Sequence, residues 1–551
     1  MSTIRASVLS LLLLAAVCLD FGGCTTAGNL STDGSYAGGY GSFSLTLATN
    51  TNYALRYYRE DTDYTLLKVE SVDHPGTTYT IDIVWDSLIG FRQAYGYVPA
   101  GRYRLSQISV SVINSNSPIG GFGTTGYINF NATTPSFQVD ASEHTDLGML
   151  VIESNPASLD HTFAGWMTSN DDATTAVKAR MNQHSPAPVI KQASLARSDG
   201  SDAWIVAHAF ENPAPSGQIR AYRTGEIVIP GHLGSILYCD AQKHWHVLAT
   251  GHTAFVRDAG ILDDGRIAAM LSNGQILLSD VTHEHWQQLP WVSPLDAPER
   301  LGVLSGGHIA VGGQAHWDEP GPNRTPVKRE GRAVYMTDAK LGAWQLVERL
   351  ADADRVEFDS ENAYLYVYVN ARRLLRSDVL LTTNVISGKT ESRIMPAEIL
   401  RSFGNGLMTA YDDPNDPNLG QILEREQFVS RDGGKTWRRI ESHDDAAGNL
   451  HLRGEMFPLP NADSAISQGR YHYSETGADS FGYFETDDGG NSWRRVFYTD
   501  KGCVFTAQIT LIDGAIWEAC DEGSVWKMDP ATGAMTQERA ISEEIPPGKI
   551  N

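Results

Sequence analysis

A short motif that ends in tryptophan recurs along the C-terminal part of the chain and constrains its fold. Residues 430–437 read SRDGGKTW and residues 486–493 read TDDGGNSW. Including looser copies, the motif ends at Trp245, Trp286, Trp344, Trp437 and Trp493. Their spacing indicates repeats of roughly fifty residues, with copies lacking Trp at 374–390 and 525–535. Seven such units of four short strands predict a β-propeller, and the weakly marked end units leave six or eight blades open.

Each position of the motif has a mechanical role. Asp432 can accept N–H groups within its own turn, Gly434 can adopt a positive φ, and Thr436 would start the outgoing strand. Trp437 would offer an apolar face to the next blade and an N–H to a backbone acceptor. The motif positions are Ser430, Asp432, Gly434, Thr436 and Trp437 in the first copy, and Thr486, Asp488, Gly490, Ser492 and Trp493 in the second.

The pattern S/T-x-D-x-G-x-T/S-W resembles the Asp-box, or BNR, repeat. That repeat occurs in sialidases, sortilin-type receptors, a photosystem II assembly factor and many bacterial secreted propellers. The resemblance implies a propeller over residues 201–540. It also implies that the motif joins the third and fourth strands of a blade, at the periphery. Asp432 and Asp488 are then expected to be structural rather than catalytic.

Residues 43–153 alternate apolar and polar side chains in short runs, which predicts an antiparallel β-sandwich. The chain is therefore expected to be all-β. VPAGRYRL (98–105) and FQVDASEHTDLGML (137–150) resemble small prealbumin-like or immunoglobulin-like domains of bacterial envelope proteins. Residues 154–200 are expected to be a linker or entry segment with a short helix around Thr174–Met181, and residues 541–551 a C-terminal tail.

The N-terminus predicts export and a lipid anchor. Residues 1–23 combine Arg5 with a short apolar run, as secretory signals do. Phe21-Gly22-Gly23-Cys24 resembles the bacterial lipobox, with Cys24 as the lipidated residue. A plain secreted protein and lipidation at Cys18 are the alternatives. Thr25 favours the outer membrane, and residues 24–42 are expected to be a flexible tether.

The net charge of the chain narrows the classes of partner that it can bind. The chain has 551 residues with 43 basic and 66 acidic side chains, a net charge of −23. Because an acidic surface repels phosphate backbones, no nucleic-acid partner is expected.

Cys239 is expected to be a buried free thiol. Cys503 and Cys520 flank a hairpin and form a possible disulfide, although a turn at Asp513-Gly514 would place Cys503 opposite about position 524.

Three groups of residues have features of a chemical site, but none predicts a catalytic, cofactor or metal site. Arg220, Arg223 and Glu226 are candidates for a sialidase-like site, but no Arg-Ile-Pro motif accompanies them. Asp413, Asn415 and Glu424 have calcium-loop spacing without flanking helices. The paired histidines are His244 with His246 and His283 with His285, and no third zinc ligand is evident.

Two functions from different classes remain. The first is a lipid-anchored envelope protein that presents its propeller to a protein or glycan partner. The second is a sialidase-like glycoside hydrolase that acts on extracellular or envelope glycans. The absence of a convergent catalytic motif favours the first. An arginine trio beside a Tyr–Glu pair at a mouth of the channel would favour the second.

Overall fold

The chain divides into two compact units in the computed structural model. The first lies within Met1–Phe210 and the second is Glu211–Ser542. The structure describes residues 24–26, 39–50, 63–86, 91–113, 123–130, 134–154, 162–182, 187–198, 200–222, 224–290, 295–320, 326–337, 344–351, 356–358, 364–369, 379–384, 387–397, 399–403, 406–411, 427–440, 450–459, 461, 463–473, 478–498, 506–520 and 522–541.

The first unit combines strands with two helices. Its elements are β1 (Cys24–Thr26), β2 (Tyr40–Asn50), β3 (Asp63–Ser71), β4 (Thr78–Asp86), β5 (Phe91–Pro99), β6 (Gly101–Ile113), β7 (Gly123–Asn129), β8 (Ser136–Val139), β9 (Glu143–Ser154), β10 (Thr162–Met167), α1 (Asp171–Met181), β11 (Val189–Gln192) and α2 (Ser201–Glu211). Neither helix is long and apolar enough to cross a membrane.

The strands form two halves that share β4. The hydrogen-bonded order is β10-β9-β2-β5-β4-β3-β6-β7, with β8 on β6 and β11 on β9. Along β4, Thr78–Asp82 pair with β3, whereas Ile83–Asp86 pair with β5. The sheet is mixed rather than purely antiparallel, because β2 pairs antiparallel with β5 but parallel with β9.

Period-two alternation along β2 explains its packing. Phe43, Leu45 and Leu47 point into the apolar core of the unit, which also contains Phe137 and Tyr103. The intervening Ser42, Ser44 and Thr46 are also buried. Helix α1 packs on that second face, where Val177 and Met181 contact Tyr95 of β5. The face therefore carries polar side chains in a buried layer.

Two of the predicted boundaries are wrong for the residues that the structure describes. Residues 154–200 are not a linker, because β10 and β11 pair with β9 and so belong to the first unit. The predicted helix within this segment is confirmed as α1, whose N-terminus is capped by Asn170. In the predicted tether 24–42, β1 pairs with Thr78–Thr80 of β4, and β2 begins at Tyr40. Short segments of this kind carry too few residues to show a period.

The second unit contains seven four-stranded sheets, here called blades 1 to 7. Blade 1 is β12 (Arg220–Ala221), β13 (Ile227–Pro230), β14 (Ser235–Cys239) and β15 (Trp245–Ala249); blade 2 is β16 (Val256–Ile261), β17 (Ile267–Leu271), β18 (Ile276–Ser279) and β19 (Trp286–Gln288); blade 3 is β20 (Ala297–Leu304), β21 (His308–Pro320), β22 (Pro326–Thr337) and β23 (Gln345–Ala351); blade 4 is β24 (Glu357–Phe358), β25 (Tyr364–Val369), β26 (Val379–Asn384) and β27 (Lys389–Ile394).

The remaining three blades follow the same order. Blade 5 is β28 (Ile399–Ser402), β29 (Met408–Tyr411), β30 (Gln427–Ser430) and β31 (Arg438–Ile440); blade 6 is β32 (Leu450–Pro458), β33 (Ala465–Tyr473), β34 (Ala478–Thr486) and β35 (Arg494–Tyr498); blade 7 is β36 (Thr506–Ile512), β37 (Ala515–Cys520), β38 (Val525–Met528) and β39 (Met535–Arg539). The predicted all-β fold with a seven-bladed propeller is confirmed.

The first strand of each blade is the innermost. First strands of consecutive blades contact one another, as β16 does with β20 and β20 with β24. The ring closes where blade 7 packs on blade 1 through a shared core that includes Trp517, Val525, Ile229 and Leu237. Arg539 reinforces this closure, because its guanidinium donates to the carbonyl of Glu211 at 2.7 Å.

Candidate functional site

The complete Asp-box of blade 5 is a hydrogen-bonded turn built around one carboxylate. Asp432 Oδ1 accepts the backbone N–H groups of Lys435 and Thr436 at 3.0 and 2.9 Å. Its Oδ2 accepts the Thr436 hydroxyl at 2.6 Å. Thr436 thus closes the turn instead of starting β31. Gly434 has φ 76°, as predicted, and a side chain there would meet Leu380.

The box of blade 6 repeats this geometry. Asp488 accepts the Ser492 N–H at 2.9 Å and the Ser492 hydroxyl at 2.6 Å. The Thr486 hydroxyl accepts the Gly490 N–H at 2.8 Å, as Ser430 does for Gly434 at 2.9 Å. These bonds favour the ionised carboxyl and lower the pKa of Asp488 to about 2, the largest contribution coming from the Ser492 hydroxyl.

The degenerate copies keep the aspartate and lose part of the network. In blade 1 Asp240 accepts the His244 N–H at 2.8 Å. In blade 2 Asp280 accepts the Thr282 and Glu284 N–H groups, both at 3.1 Å. All four turns join the third and fourth strands of their blades. Every one of these copies therefore retains the carboxylate that forms the turn.

Arginines near the box of blade 5 bind it to the blades on both sides. Arg393 of blade 4 donates to the carbonyl of Gly433 at 3.0 Å. Arg431 donates to the carbonyls of Leu459 and Asn461 in blade 6, both at 2.7 Å. The box therefore acts as an inter-blade fastening, and its carboxylate is already occupied by donors of its own turn.

The tryptophan of the motif packs differently from the prediction. Trp437 contacts a cluster that contains Tyr366 and Leu380 of blade 4 with Met408 of its own blade, so it faces the preceding blade. Trp493 likewise packs with Val429 of blade 5. The Trp437 Nε1 atom is buried without a hydrogen-bond acceptor, so the predicted N–H bond is not formed. Packing area, rather than polar bonding, accounts for this side chain.

The strand order assigns the loops to two opposite faces of the propeller. Because the four strands of a blade alternate in direction, the turns from second to third strand lie at the end where the first strand begins. We call this end the B–C face. The turns from third to fourth strand, which include the Asp-boxes, lie at the other end, the Asp-box face. The two faces therefore differ in the turns that they expose.

The B–C face is unequal around the ring. In blades 1, 2 and 7 the second and third strands have four to six residues, and the turns between them are short, 231–234, 272–275 and 521–524. Blade 3 has strands of 13 and 12 residues, and blade 6 has two of 9 residues. Blades 4 and 5 have the longer connections 370–378 and 412–426. We call blades 3 to 6 the long-hairpin blades, because each has either longer second and third strands or a longer connection between them. These four blades are consecutive.

The hairpin of blade 3 continues beyond its sheet as a two-stranded ribbon. The first strand of the blade stops pairing at Gln314 and the fourth strand stops at Gly331. Residues Ala315–Pro320 and Pro326–Glu330 extend farther as paired strands. We call these two segments the ribbon. An isolated two-stranded hairpin is marginally stable in water, so the ribbon needs additional anchoring.

A tryptophan anchors the ribbon at its base. Trp317 belongs to the core shared by blades 2 and 3, and the Arg349 guanidinium lies 5.8 Å from its ring centroid. Its Nε1 donates to Glu319 at 3.3 Å, and Glu319 also pairs with Arg329 at 3.0 Å. The base is therefore held by packing and the tip by exposed ion pairs. Val327 is exposed near the tip.

An exposed histidine connects the ribbon to the start of the innermost strand. His316 Nδ1 lies 2.6 Å from Asp296 Oδ2, and its Nε2 lies 3.7 Å from Glu330. The hydrogen bond with Asp296, followed by the charges of both carboxylates, raises the pKa of His316 above its ordinary value. This contact therefore favours the imidazolium and links the ribbon to the segment that enters blade 3.

Arg220 and Glu226, two of the candidates for a sialidase-like site, bind separate partners in the structure. Arg220 is buried and lies 2.9 Å from Asp258 on β16, and it donates to the Leu301 carbonyl on β20 at 3.2 Å. It links three innermost strands. Glu226 lies in the turn that follows β12 and accepts the Tyr238 hydroxyl at 2.6 Å. Arg223 lies outside the described residues.

A second tyrosine–glutamate pair lies between blades 6 and 7. The Tyr483 hydroxyl donates to Glu518, and the two residues are 1% and 4% exposed. A sugar ring could reach this pair only if the blades separated. The pair therefore fastens adjacent blades in the structure as it stands.

The remaining predicted residues are dispersed. His244 and His246 both approach Asp240, at 3.4 and 3.2 Å, whereas His283 bonds the Gly265 carbonyl at 2.9 Å. Over the described ranges, no group of three or more His, Cys, Asp or Glu residues is arranged to hold a metal ion. The calcium-like residues Asp413, Asn415 and Glu424 lie outside those ranges, as does the tail from 542 onward.

The cysteines agree in part with expectation. Cys239 is a buried free thiol, as predicted, and burial raises its pKa to about 11. Cys520 is disulfide-bonded. Its partner lies outside the described residues, so pairing with Cys503 remains a prediction. The side chain of Cys24 is likewise not described, and its lipidation remains a prediction.

Comparisons with known proteins give distant structural likenesses. A scan against protein-family models finds no match, and neither does a search of curated proteins. YCF48 from Cyanidioschyzon merolae is similar at 12% identity and TM-score 0.38, covering 58% of this chain and 97% of that one. YCF48 bound to D1 peptide shows 10% identity and TM-score 0.38, covering 57% and 92%. A streptogramin B lyase shows 11% identity and TM-score 0.36, covering 59% and 94%.

Proposed function

We propose that the propeller is a binding platform that holds a protein or glycan partner on its B–C face, over blades 3 to 6. The observation that carries the proposal is the confinement of long hairpins to four consecutive blades. Neither the longer strands of blades 3 and 6 nor the longer connections of blades 4 and 5 are needed to close a propeller, because blades 1, 2 and 7 are built without them. Binding residues are commonly placed on loops that a rigid scaffold positions.

The ribbon of blade 3 suits this role because it is organised before a partner arrives. Trp317 anchors its base in the core, and His316 is tied to Asp296 at the entrance to the blade. A surface that is already ordered loses less conformational entropy on binding. The tip is charged, with Asp318 opposite Lys328 in the register and Pro320 opposite Pro326. Prolines and charges disfavour pairing with another strand edge, which leaves side-chain recognition at the tip.

Shortening the ribbon tests this proposal without removing its anchor. Residues 318–328 are replaced by Asn-Gly, which joins Trp317 to its paired residue Arg329 through a two-residue turn. The mature variant and the wild-type protein are used to capture partners from envelope extract of the host. We expect the variant to unfold at an unchanged temperature and to lose the partner that the wild type retains.

The control for this experiment lies on the opposite face. Lys435 is exposed in the Asp-box of blade 5, and Lys435→Ala should retain the partner at wild-type level. Equal capture by the shortened variant and the wild type would contradict the proposal. Loss with Lys435→Ala but not with the shortened ribbon would move the binding surface to the Asp-box face.

We further propose that the protein is anchored in the cell envelope, at the outer membrane, through lipidated Cys24. The lipobox-like sequence before Cys24 supports this proposal, and Thr25 favours the outer membrane. Expressed in its host, Cys24→Ala should leave the membrane fraction and lose its lipid mass, whereas Cys18→Ala should remain attached. Retention of Cys24→Ala in the membrane fraction would contradict the anchor.

A further inference from the structure

A buried carboxylate and a buried histidine face each other between the sheet and a helix of the first unit. Glu153 lies near the end of β9 and is 2% exposed, and His208 of α2 is 5% exposed. Glu153 Oε1 lies 3.6 Å from His208 Nδ1, an ion-pair distance. Asn50 of β2 donates to Glu153 Oε2 at 2.6 Å. The Trp204 ring stacks on His208 with centroids 4.9 Å apart.

Among the residues that the structure describes, His208 is the titratable side chain that acts on Glu153 from a neighbouring element, and Asn50 acts as a neutral donor. Strand β10 lies on the other side of β9, and its sequence TFAGWM contains no titratable residue. The other titratable groups on these elements engage elsewhere or are exposed: Asp202 with Arg197, Asp146 with Ser44 and Ser169, His144 with Ser42, Glu143 with Lys191, and Glu211 at the end of α2.

We propose that the Glu153–His208 pair is a proton-controlled latch that holds α2 against the sheet. With one proton on the pair, the buried site has no net charge, whichever of the two groups carries it. When that proton leaves, a carboxylate and a neutral imidazole remain, and the buried site carries an uncompensated negative charge. An unpaired charge away from water is costly, and moving α2 outward would let water reach it.

The direction of the pH effect follows from burial. Desolvation raises the pKa of Glu153 to about 7, while His208 and Asn50 oppose that rise. A carboxyl with a raised pKa in the closed state stabilises that state below its ordinary pKa, and this stabilisation is lost as the pH rises through 7. The latch is therefore closed in mildly acidic solution, and opening increases with pH, at most about tenfold per pH unit.

Helix α2 leads the chain into the second unit, whose first residue is Glu211. A change in its docking alters how firmly this connecting segment is held on the first unit. The latch would thus make the attachment of this connecting segment to the first unit sensitive to pH. This inference does not depend on the binding surface proposed for the propeller.

Hydrogen exchange of the full-length protein tests the latch. Exchange of peptides covering α2 and α1 is measured from pH 5 to pH 8 and corrected for the intrinsic pH dependence of amide exchange. We expect opening of α2 in the wild-type protein to increase by at least tenfold between pH 5 and pH 7, and opening of α1 to stay constant. In Glu153→Gln, whose amide keeps the shape and cannot ionise, the increase should disappear.

Two further variants exclude a merely structural explanation. Glu70→Gln removes a carboxylate from the partly buried Glu70–Arg104 pair on β3 and β6, and it should keep the wild-type response of α2. His208→Asn removes the imidazole and should keep a pH response, because burial of Glu153 is the larger cause. The latch is wrong if opening of α2 in the wild type does not change with pH, or if Glu153→Gln shows the same increase.

Discussion

All seven blades have the same four strands, but the side chains of the short-hairpin blades 7, 1 and 2 differ in role from those of the long-hairpin blades 3 to 6. On the short side, the buried Arg220–Asp258 pair connects three innermost strands, and Trp517 helps to close the ring. On the long side, the ribbon carries ion pairs such as Glu319–Arg329 in solvent. Closing a propeller thus needs only short strands with a well-packed interface, whereas the additional strand length of blade 3 adds exposed surface.

The largest expected effect is on the short side. Asp258→Ala leaves the Arg220 guanidinium buried without its carboxylate, and breaking such a pair costs about 3–5 kcal/mol. Denaturant unfolding of the full-length protein, followed by tryptophan fluorescence, should show this loss. The double variant Arg220→Met with Asp258→Leu should recover most of it, because no uncompensated charge remains. A single variant as stable as the wild type would show that this pair does not hold the blades.

The next largest effect is expected on the free energy of unfolding when a complete Asp-box, rather than a degenerate one, loses its aspartate. Burial alone would raise the pKa of Asp432, but hydrogen bonds from Thr436, Ser430 and Lys435 lower it overall. Asp432→Ala removes these bonds and should cost about 1 kcal/mol, as loss of a helix cap typically does. Asp240→Ala in blade 1 should cost less, because its turn has fewer donors. The same loss at both positions would show that the fuller network adds nothing.

A smaller effect is expected at the ribbon. Arg329→Ala breaks the ion pair with Glu319, and both side chains are about half exposed. Exposed pairs contribute little to the free energy of unfolding, so the thermal midpoint should not change measurably. Binding of the captured partner should nevertheless weaken. A clear drop in the midpoint would indicate that the ribbon is part of the structural frame rather than an added surface.

The smallest effect concerns His316. Its raised pKa means that the contact with Asp296 stabilises the ribbon below the ordinary histidine pKa and is lost as the pH rises through the raised value. NMR titration should give a His316 pKa above that of a free histidine, and Asp296→Asn should lower it. An unchanged value in Asp296→Asn would show that the carboxylate does not hold the imidazole.

The sequence predicted the propeller because its turns carry a local signal. Asp432, Gly434 and Trp437 act within a few residues of each other, so their pattern survives in the letters of the chain. What the sequence did not show is which neighbour Trp437 packs on, because that depends on the order in which blades stack. The lengths of β21 and β22 were missed for a different reason. Their alternation is visible in AVGGQAHW and VKREGRAVYM. The prediction of blades used only the spacing between motif copies, and that spacing does not distinguish a longer strand from a longer connection.

The first unit shows the same limit. The alternation in β2 is part of the pattern that predicts strands in this unit, and it is visible because one face of β2 packs on an apolar core. Residues 154–200 have the Pro, Ser and Asp content of a linker. Strand β11 within them is only four residues long and pairs with β9 at a distance in sequence, so it leaves no local signal. The buried Glu153 appears in the sequence as an ordinary polar residue near a strand end. Only tertiary packing reveals that His208 covers it.

Two valines at opposite faces provide the most direct test of where the propeller binds. Val327 lies on the ribbon of blade 3 and Val281 in the Asp-box-like turn of blade 2, and both are exposed. A photo-crosslinking amino acid is placed at each position in the full-length protein, which is then irradiated in its native envelope. The binding platform predicts a discrete crosslinked partner from position 327 and none from position 281. A partner crosslinked only from position 281 would contradict it.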